Sequence, residues 1–207
     1  MKKIIKVLVS GIFCVSTLVG CSSSPYAKAE AQTLTIQGVP VYVEPDEDTT
    51  QNDVDTFLKY LKKQPEYLMK NCTGIYLQGD DKYYDCVEDS EGGESSVGGA
   101  NTSDNSVHLL INNTKTLDRM TEYNIVFTIT HELRHLYDFS KGDGANWLSD
   151  FDFSNLYNAN PNSITEYGAT TVKEFFAEAG SMYINNPEEL EQKNIDVYNY
   201  FELLPKE

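Results

Sequence analysis

The stretch His131-Glu132-Leu133-Arg134-His135 has the form H-E-x-x-H. An α-helix turns by about 100° per residue, so two imidazoles four positions apart lie on one face and their ring nitrogens can share one metal ion. Glu132, beside the first histidine, then sits where its carboxylate can take a proton from a metal-bound water. The chain has 207 residues and only three histidines, two of which are here. The plainer reading is an ordinary helix with surface His and Glu. The flanks weaken it. Ile125, Phe127, Ile129, Leu133 and Leu136 give the segment an apolar body, and Gly142 and Gly144 stop it. A helix from somewhere between Thr116 and Thr121 to about Asp138 is therefore expected to be buried, with Arg134 on its outer face.

Two histidines leave a metal ion short of ligands, since a catalytic zinc site needs a third protein ligand and an open position. Candidates lie in the segment from Tyr167 to Ala179, on a second expected helix covering roughly Thr170 to Ile184. Glu174 follows His135 by 39 residues and can approach the His pair across a helix–helix contact. Glu178 is one turn further along the same face, placed to accept the remaining ring N–H of a ligating His and fix its tautomer. Both have plainer readings. Thr171 and Glu174 have capping-box spacing, and Glu178 would serve equally as a solvated acid. Phe175 and Phe176 pull this turn toward a core.

The rest of the chain organises around these helices. Thr33 to Val43 reads as strand with a break at Gly38-Val39-Pro40. Asp46 to Asp53 reads as an acidic loop. Val54 to Met69 reads as a helical stripe interrupted near Pro65. Two short strands are expected around the Gly79-Asp80-Asp81 turn. Asp89 to Asp104 reads as a Gly/Ser/Asn-rich loop, and Ser106 to Asn112 as a strand carrying His108. If that strand is the sheet edge over the cleft, a peptide can add to it and His108 lies near the subsites; otherwise it is a half-exposed strand histidine. Residues 146–164 read as irregular, and a last helix runs from about Pro187 to Leu204, in one or two pieces. Strands first and helices after give an α+β domain: an N-terminal mixed sheet with a helix, the H-E-x-x-H helix, then C-terminal helices.

The two ends of the composition bound the setting. Residues 1–20 combine Lys2, Lys3 and Lys6 with an apolar run and read as a lipoprotein signal peptide. The Leu18-Val19-Gly20-Cys21 end resembles the bacterial lipobox, with Cys21 as the acylated residue and 21–32 as a flexible tether; a plain signal peptide or membrane anchor is the alternative. The expected location is extracytoplasmic, lipid-anchored to a bacterial membrane, with residues 33–207 as one domain. The formal net charge is −16, and removing residues 1–20 takes away three Lys and no acid, giving −19. Nucleic acid and anionic membrane surfaces need Lys/Arg clusters, so neither is an expected partner. Cys72 and Cys86 remain as an even pair in an exported chain. A disulfide between them would close a 15-residue loop, worth about 3 kcal/mol in the chain-entropy model. Metal-binding thiolates are the rival reading, without C-x-x-C spacing.

A family resemblance joins the two helices. His131–His135, with Tyr167 seven residues before Glu174 in an E-F-F-A-E setting, resembles the zinc peptidase domain of anthrax lethal factor and the secreted bacterial proline–proline endopeptidases. The order of elements between residues 33 and 204 agrees, and chain size agrees better with the second group. Outside these segments little matches residue by residue, and the lipobox and the Cys72/Cys86 pair are not carried over from the family. The resemblance implies a small zincin-like domain in which His131, His135 and Glu174 bind one Zn2+, Glu132 is the general base and Tyr167 points its hydroxyl toward a substrate carbonyl. The function implied is a zinc metalloendopeptidase acting on extracellular or envelope proteins, including proline-rich segments. The alternative is a catalytically silent surface-binding module that keeps a zinc site for stability.

Overall fold

Apolar alternation builds the sheet. In the computed structural model, which describes residues 27–87, 97–111 and 122–206 (side chains of 84–87 and 122–123 excepted), five strands form one mixed sheet. They are β1 (Gln32–Ile36), β2 (Val39–Glu44), β3 (Gly74–Gln78), β4 (Gly98–Asn101) and β5 (Ser106–Leu110), in the order β1-β2-β3-β5-β4. The β2–β3 and β3–β5 pairs are parallel and the two outer pairs antiparallel. Val41, Val43, Ile75, Leu77, Val107 and Leu109 point to one face and are buried. Pro40, which has no N–H to give, falls before the first β2–β3 register pair, Val41 with Ile75.

The helices are α1 (Gln51–Leu61), α2 (Glu66–Met69), α3 (Asp80–Val87), α4 (Glu122–Ser140), α5 (Asp152–Ala159), α6 (Val172–Asn185), α7 (Pro187–Lys193) and α8 (Ile195–Leu203). The chain is thus α+β. Ile125, Ile129, Leu133 and Leu136 of α4 share one core with the buried face of the sheet and with Phe175, Phe176 and Met182 of α6. None of the helices among the described residues is long and apolar enough to cross a membrane.

Several expectations change on folding. The segment 79–87 is not a second strand but α3. Asp80 and Asp81 sit in its first turn, where carboxylates favour a helix start, and the Asp80 N–H donates to Asp46 Oδ2 at 3.0 Å. The acidic loop at 46–53 ends in a capping box, with Thr50 and Asp53 satisfying each other's backbone N–H groups at the start of α1. Residues 98–101, expected in a loop, are the end strand β4. The irregular stretch 146–164 contains α5, because Phe153 is buried among Phe176, Tyr200 and Phe201 at ring-centroid separations of 5.0, 4.8 and 5.7 Å. The expected tether is partly docked: Ala29 is buried and its N–H donates to the Thr49 carbonyl. Residues 1–26, with the leader and Cys21, lie outside the described residues.

Cys72 carries a free, buried thiol that donates to the Gly74 carbonyl at 3.0 Å, where a disulfide was expected. Burial pushes the thiol up to about 11. The side chain of Cys86 lies outside the described residues, and its position on α3 removes the hairpin that the pair was expected to staple.

Arg134 is also not where the helix pattern put it. It is 2% exposed, in the contact between α4, α6 and α8. Its guanidinium lies 5.6 Å from the Tyr67 ring, 5.6 Å from Tyr137 and 5.1 Å from Phe201, and Nη2 donates to the Tyr67 hydroxyl at 2.9 Å. Gly180 makes the space, since a Cβ there would lie 2.8 Å from Arg134 Cδ.

Candidate metal centre

α4 places His131 and His135 one turn apart on the side that faces α6. Both are buried, at 6% and 8% exposed. Their Nε2 atoms are 3.0 Å apart. α6 brings Glu174 against them: Oε2 lies 3.0 Å from His131 Nε2 and 3.3 Å from His135 Nε2. A regular tetrahedron with metal–ligand bonds of about 2.0–2.1 Å has edges of about 3.3–3.4 Å. The three atoms therefore form nearly one face of such a tetrahedron. Glu174 Oε2 is buried with no hydrogen-bond partner of proper geometry. It lies within 3.3 Å of both ring nitrogens without the angle of a hydrogen bond to either. A buried carboxylate oxygen left in this way fits a cation held between the three groups. His131, His135 and Glu174 are thus a triad able to hold a metal ion.

Capping and ligation are compatible at Glu174. Its backbone N–H donates to the Thr171 Oγ1 cap at 3.1 Å, while its carboxylate turns to the histidines. Glu178, one turn on, brings Oε1 to 3.0 Å from His131 Nδ1, slightly off the ring N–H direction, and its Oε2 accepts from Thr165 Oγ1 at 2.8 Å. Thr165 in turn accepts the Gly168 N–H at 2.9 Å, fixing the turn that carries Tyr167. Thr165 was not singled out from sequence, and a lone Thr in a loop gives no signal.

The charges respond to this crowding. Burial lowers the His131 imidazole, but the carboxylates of Glu174 and Glu178, each 3.0 Å from a ring nitrogen, outweigh it and hold the group up at about 10. Burial would raise the Glu174 carboxyl, yet the two histidines bring it well below the usual carboxylate range. Glu132 is 7% exposed, and burial, aided by Glu174 and Glu178, raises its carboxyl despite the two imidazoles. Burial and the carboxylates of Glu174, Glu132 and Glu178 raise the Tyr167 hydroxyl, which stays protonated at neutral pH. Tyr167 is 55% exposed, with its ring centroid 5.9 Å from His131.

β4 passes close over Glu132. A Cβ on Gly98 would lie 2.8 Å from Glu132 Oε1 and 3.0 Å from its Cγ, so only glycine lets the strand and the carboxylate share this space. On the far side, Trp147 sets its ring against His135, with centroids 6.1 Å apart at 82°. The following turn is tied to α4 by Asp138, which accepts from the Ser149 N–H and Oγ at 2.7 Å each. Asp138 is three residues after His135, a spacing that could have flagged it.

His108 does not join the centre. β5 runs between β3 and β4 and is not the edge. Strand alternation turns Val107 and Leu109 to the core and His108 to the opposite face, where it stacks on Tyr76 at 4.7 Å. Its Nδ1 meets Gln78 Oε1 at 2.9 Å and its Nε2 meets Ser106 Oγ at 3.1 Å. No family model matches the chain, and no curated protein matches it.

Proposed function

We propose that the protein is a zinc-dependent endopeptidase of zincin-like fold, lipid-anchored through Cys21 on the outer side of a bacterial membrane. The observation that carries this reading is the convergence of His131 Nε2, His135 Nε2 and Glu174 Oε2 within 3.0–3.3 Å of one another, with the buried Glu132 beside them. The nitrogen-and-carboxylate donor set suits zinc, and three protein ligands leave a fourth position open, whereas structural zinc is normally closed by four.

Zinc held there would lower the pKa of a water to about 7 and polarise a scissile carbonyl. The chain's own groups do the rest. Glu132 takes the proton of the attacking water and passes it to the leaving amine. The Tyr167 hydroxyl donates a hydrogen bond to the oxyanion without adding charge. Glu178 orients His131 through Nδ1, and Thr165 orients Glu178. The sheet edge nearest Glu132 is β4, and an extended peptide laid along it would bring a backbone carbonyl to the centre. Proline-rich segments are the substrate class favoured by the family resemblance.

The test is cleavage of a peptide library by the purified zinc-loaded protein, read by mass spectrometry, with Glu132→Gln in parallel. Cuts made only by the unaltered protein are expected, and their flanking residues show whether proline defines the site. A folded, zinc-loaded protein that makes no cuts, or equal cutting by Glu132→Gln, would overturn the reading in favour of a binding module.

A further inference from the structure

Trp147 and Lys173 flank the centre on the His135 side and play no part in the chemistry above. Trp147 is the one tryptophan of the chain and is half-buried. Its ring is wedged edge to face between His135, at 6.1 Å, and Phe139, at 5.6 Å. Its backbone N–H is fixed by Asp150 Oδ2 at 2.9 Å, and Asp138 pins the next turn through Ser149. The indole is therefore a firm wall rather than a loose flap. Lys173 immediately precedes the ligand Glu174 in the first turn of α6. Its ammonium lies over the indole, 4.3 Å from the ring centroid.

The chain has 32 acidic and 16 basic side chains, so a half-buried lysine would be expected to find a carboxylate. Lys173 has none within ion-pair distance among the described residues, and the indole N–H meets no acceptor there. Two acids of the neighbouring segments are engaged elsewhere: Glu174 faces the histidines, and Asp150 holds the Trp147 backbone. A compact cation and a neutral N–H donor thus stand together beside His135 and Glu174 without an acceptor among the described residues. A carboxylate matches both, taking the charge from Lys173 and the hydrogen bond from Trp147. A neutral apolar residue matches neither, because the ammonium already covers one face of the ring.

Resting on the peptidase reading, we infer that Lys173 and Trp147 form a substrate subsite that selects a carboxylate close to the scissile bond on the His135 side of the centre. The carboxylate belongs either to an Asp or Glu side chain or to the C-terminus of the peptide. The first source makes the protein an endopeptidase with an acidic preference, and the second makes it trim chain ends.

The experiment uses the zinc-loaded protein carrying Glu132→Gln, so that peptides bind without being cut, and follows the fluorescence of Trp147. Matched peptides differ only in carboxylate against carboxamide: Asp or Glu against Asn or Gln with an amidated terminus in one arm, and a free against an amidated terminus in the other. Carboxylate peptides are expected to bind about tenfold tighter in one arm, which identifies the source. Adding Lys173→Gln should bring that ratio near one, and Lys173→Glu should invert it, with zinc content measured as a control. An equal ratio with and without the Lys173 changes in both arms would overturn the inference. Failure of the peptidase reading shows separately, as no cleavage by the protein with Glu132 intact.

Discussion

The helix α4 carries two buried cationic neighbourhoods, at His131 and His135 and at the adjoining Arg134, and they are built on opposite plans. On one face, His131 and His135 meet Glu174 and Glu178, and atoms are left aimed at a common point. On the other, Arg134 meets no carboxylate among the described residues and rests on the rings of Tyr67, Tyr137 and Phe201. Ring faces hold a delocalised cation without bringing a carboxylate or imidazole to it. Carboxylates and imidazoles that crowd one point do the reverse. Burial alone therefore does not mark a functional group on this helix; the nature of the atoms facing it does.

The sharpest way to break this contrast is to remove a ligand. His135→Ala or Glu174→Ala should weaken zinc binding roughly 10,000-fold, about 5.5 kcal/mol, while the protein stays folded, as measured by metal competition titration and circular dichroism. Unchanged zinc affinity would erase the distinction between the two faces.

Arg134→Ala should act on the other side alone. It empties a buried site and should cost about 3–5 kcal/mol of stability in denaturant unfolding, with zinc affinity per folded molecule unchanged. Arg134→Met, which keeps the volume and removes the buried charge, should recover most of that loss. A large drop in zinc affinity with Arg134→Met would join the two regions that the structure separates.

Asp138 offers a third case on the same helix, an acid held by a serine. Burial raises its carboxyl to about 6, ahead of the opposing hydrogen bonds from Ser149. A folded-state value above the unfolded one means that its contribution is fullest below about pH 4 and is lost as pH rises through about 6. The stability of the unaltered protein relative to Asp138→Asn should therefore fall by about 2–3 kcal/mol between pH 4 and 7, measured by urea unfolding. A difference that stays flat with pH would show that Asp138 is charged at little cost.

The smallest effect is expected at Glu178. Glu178→Gln keeps the shape but weakens the hold on His131 Nδ1 and should lower zinc affinity about 10- to 100-fold. An effect as large as that of losing Glu174 would make Glu178 a ligand rather than an orienting group.

How much of this was legible beforehand varies by element. The His pair, α4 and α6 follow from short-range spacing and apolar period, because a helix relates residues only three or four positions apart, whereas the division of the last helical stretch into α7 and α8 was left open. Glu174 was legible as a candidate, and the two readings that spacing left open prove compatible, since its backbone N–H is capped by Thr171 while its carboxylate lies against the histidines. α3 was misread because Lys82-Tyr83-Tyr84 has strand-like composition, while its helical start depends on Asp46, which lies 34 residues earlier. β4 was misread because Gly98 and Gly99 carry no pattern, and their strand exists through pairing with β5. Arg134 was misplaced because a charged residue is normally kept on the solvent side, and nothing local announces that Gly180 and three aromatic rings will enclose it.

The sequence by itself determined which groups are available and where they repeat along each helix: two imidazoles on one face, two carboxylates one turn apart on another, and an acid beside the first histidine. Only the tertiary structure decided that the two faces meet, that the end strand runs over Glu132 through a glycine, and that His108 is turned to the opposite side of the sheet. The reason is range. Helical periodicity is a local property of the backbone, whereas the closeness of His135 to a carboxylate 39 residues away is set by how two helices pack around a shared core.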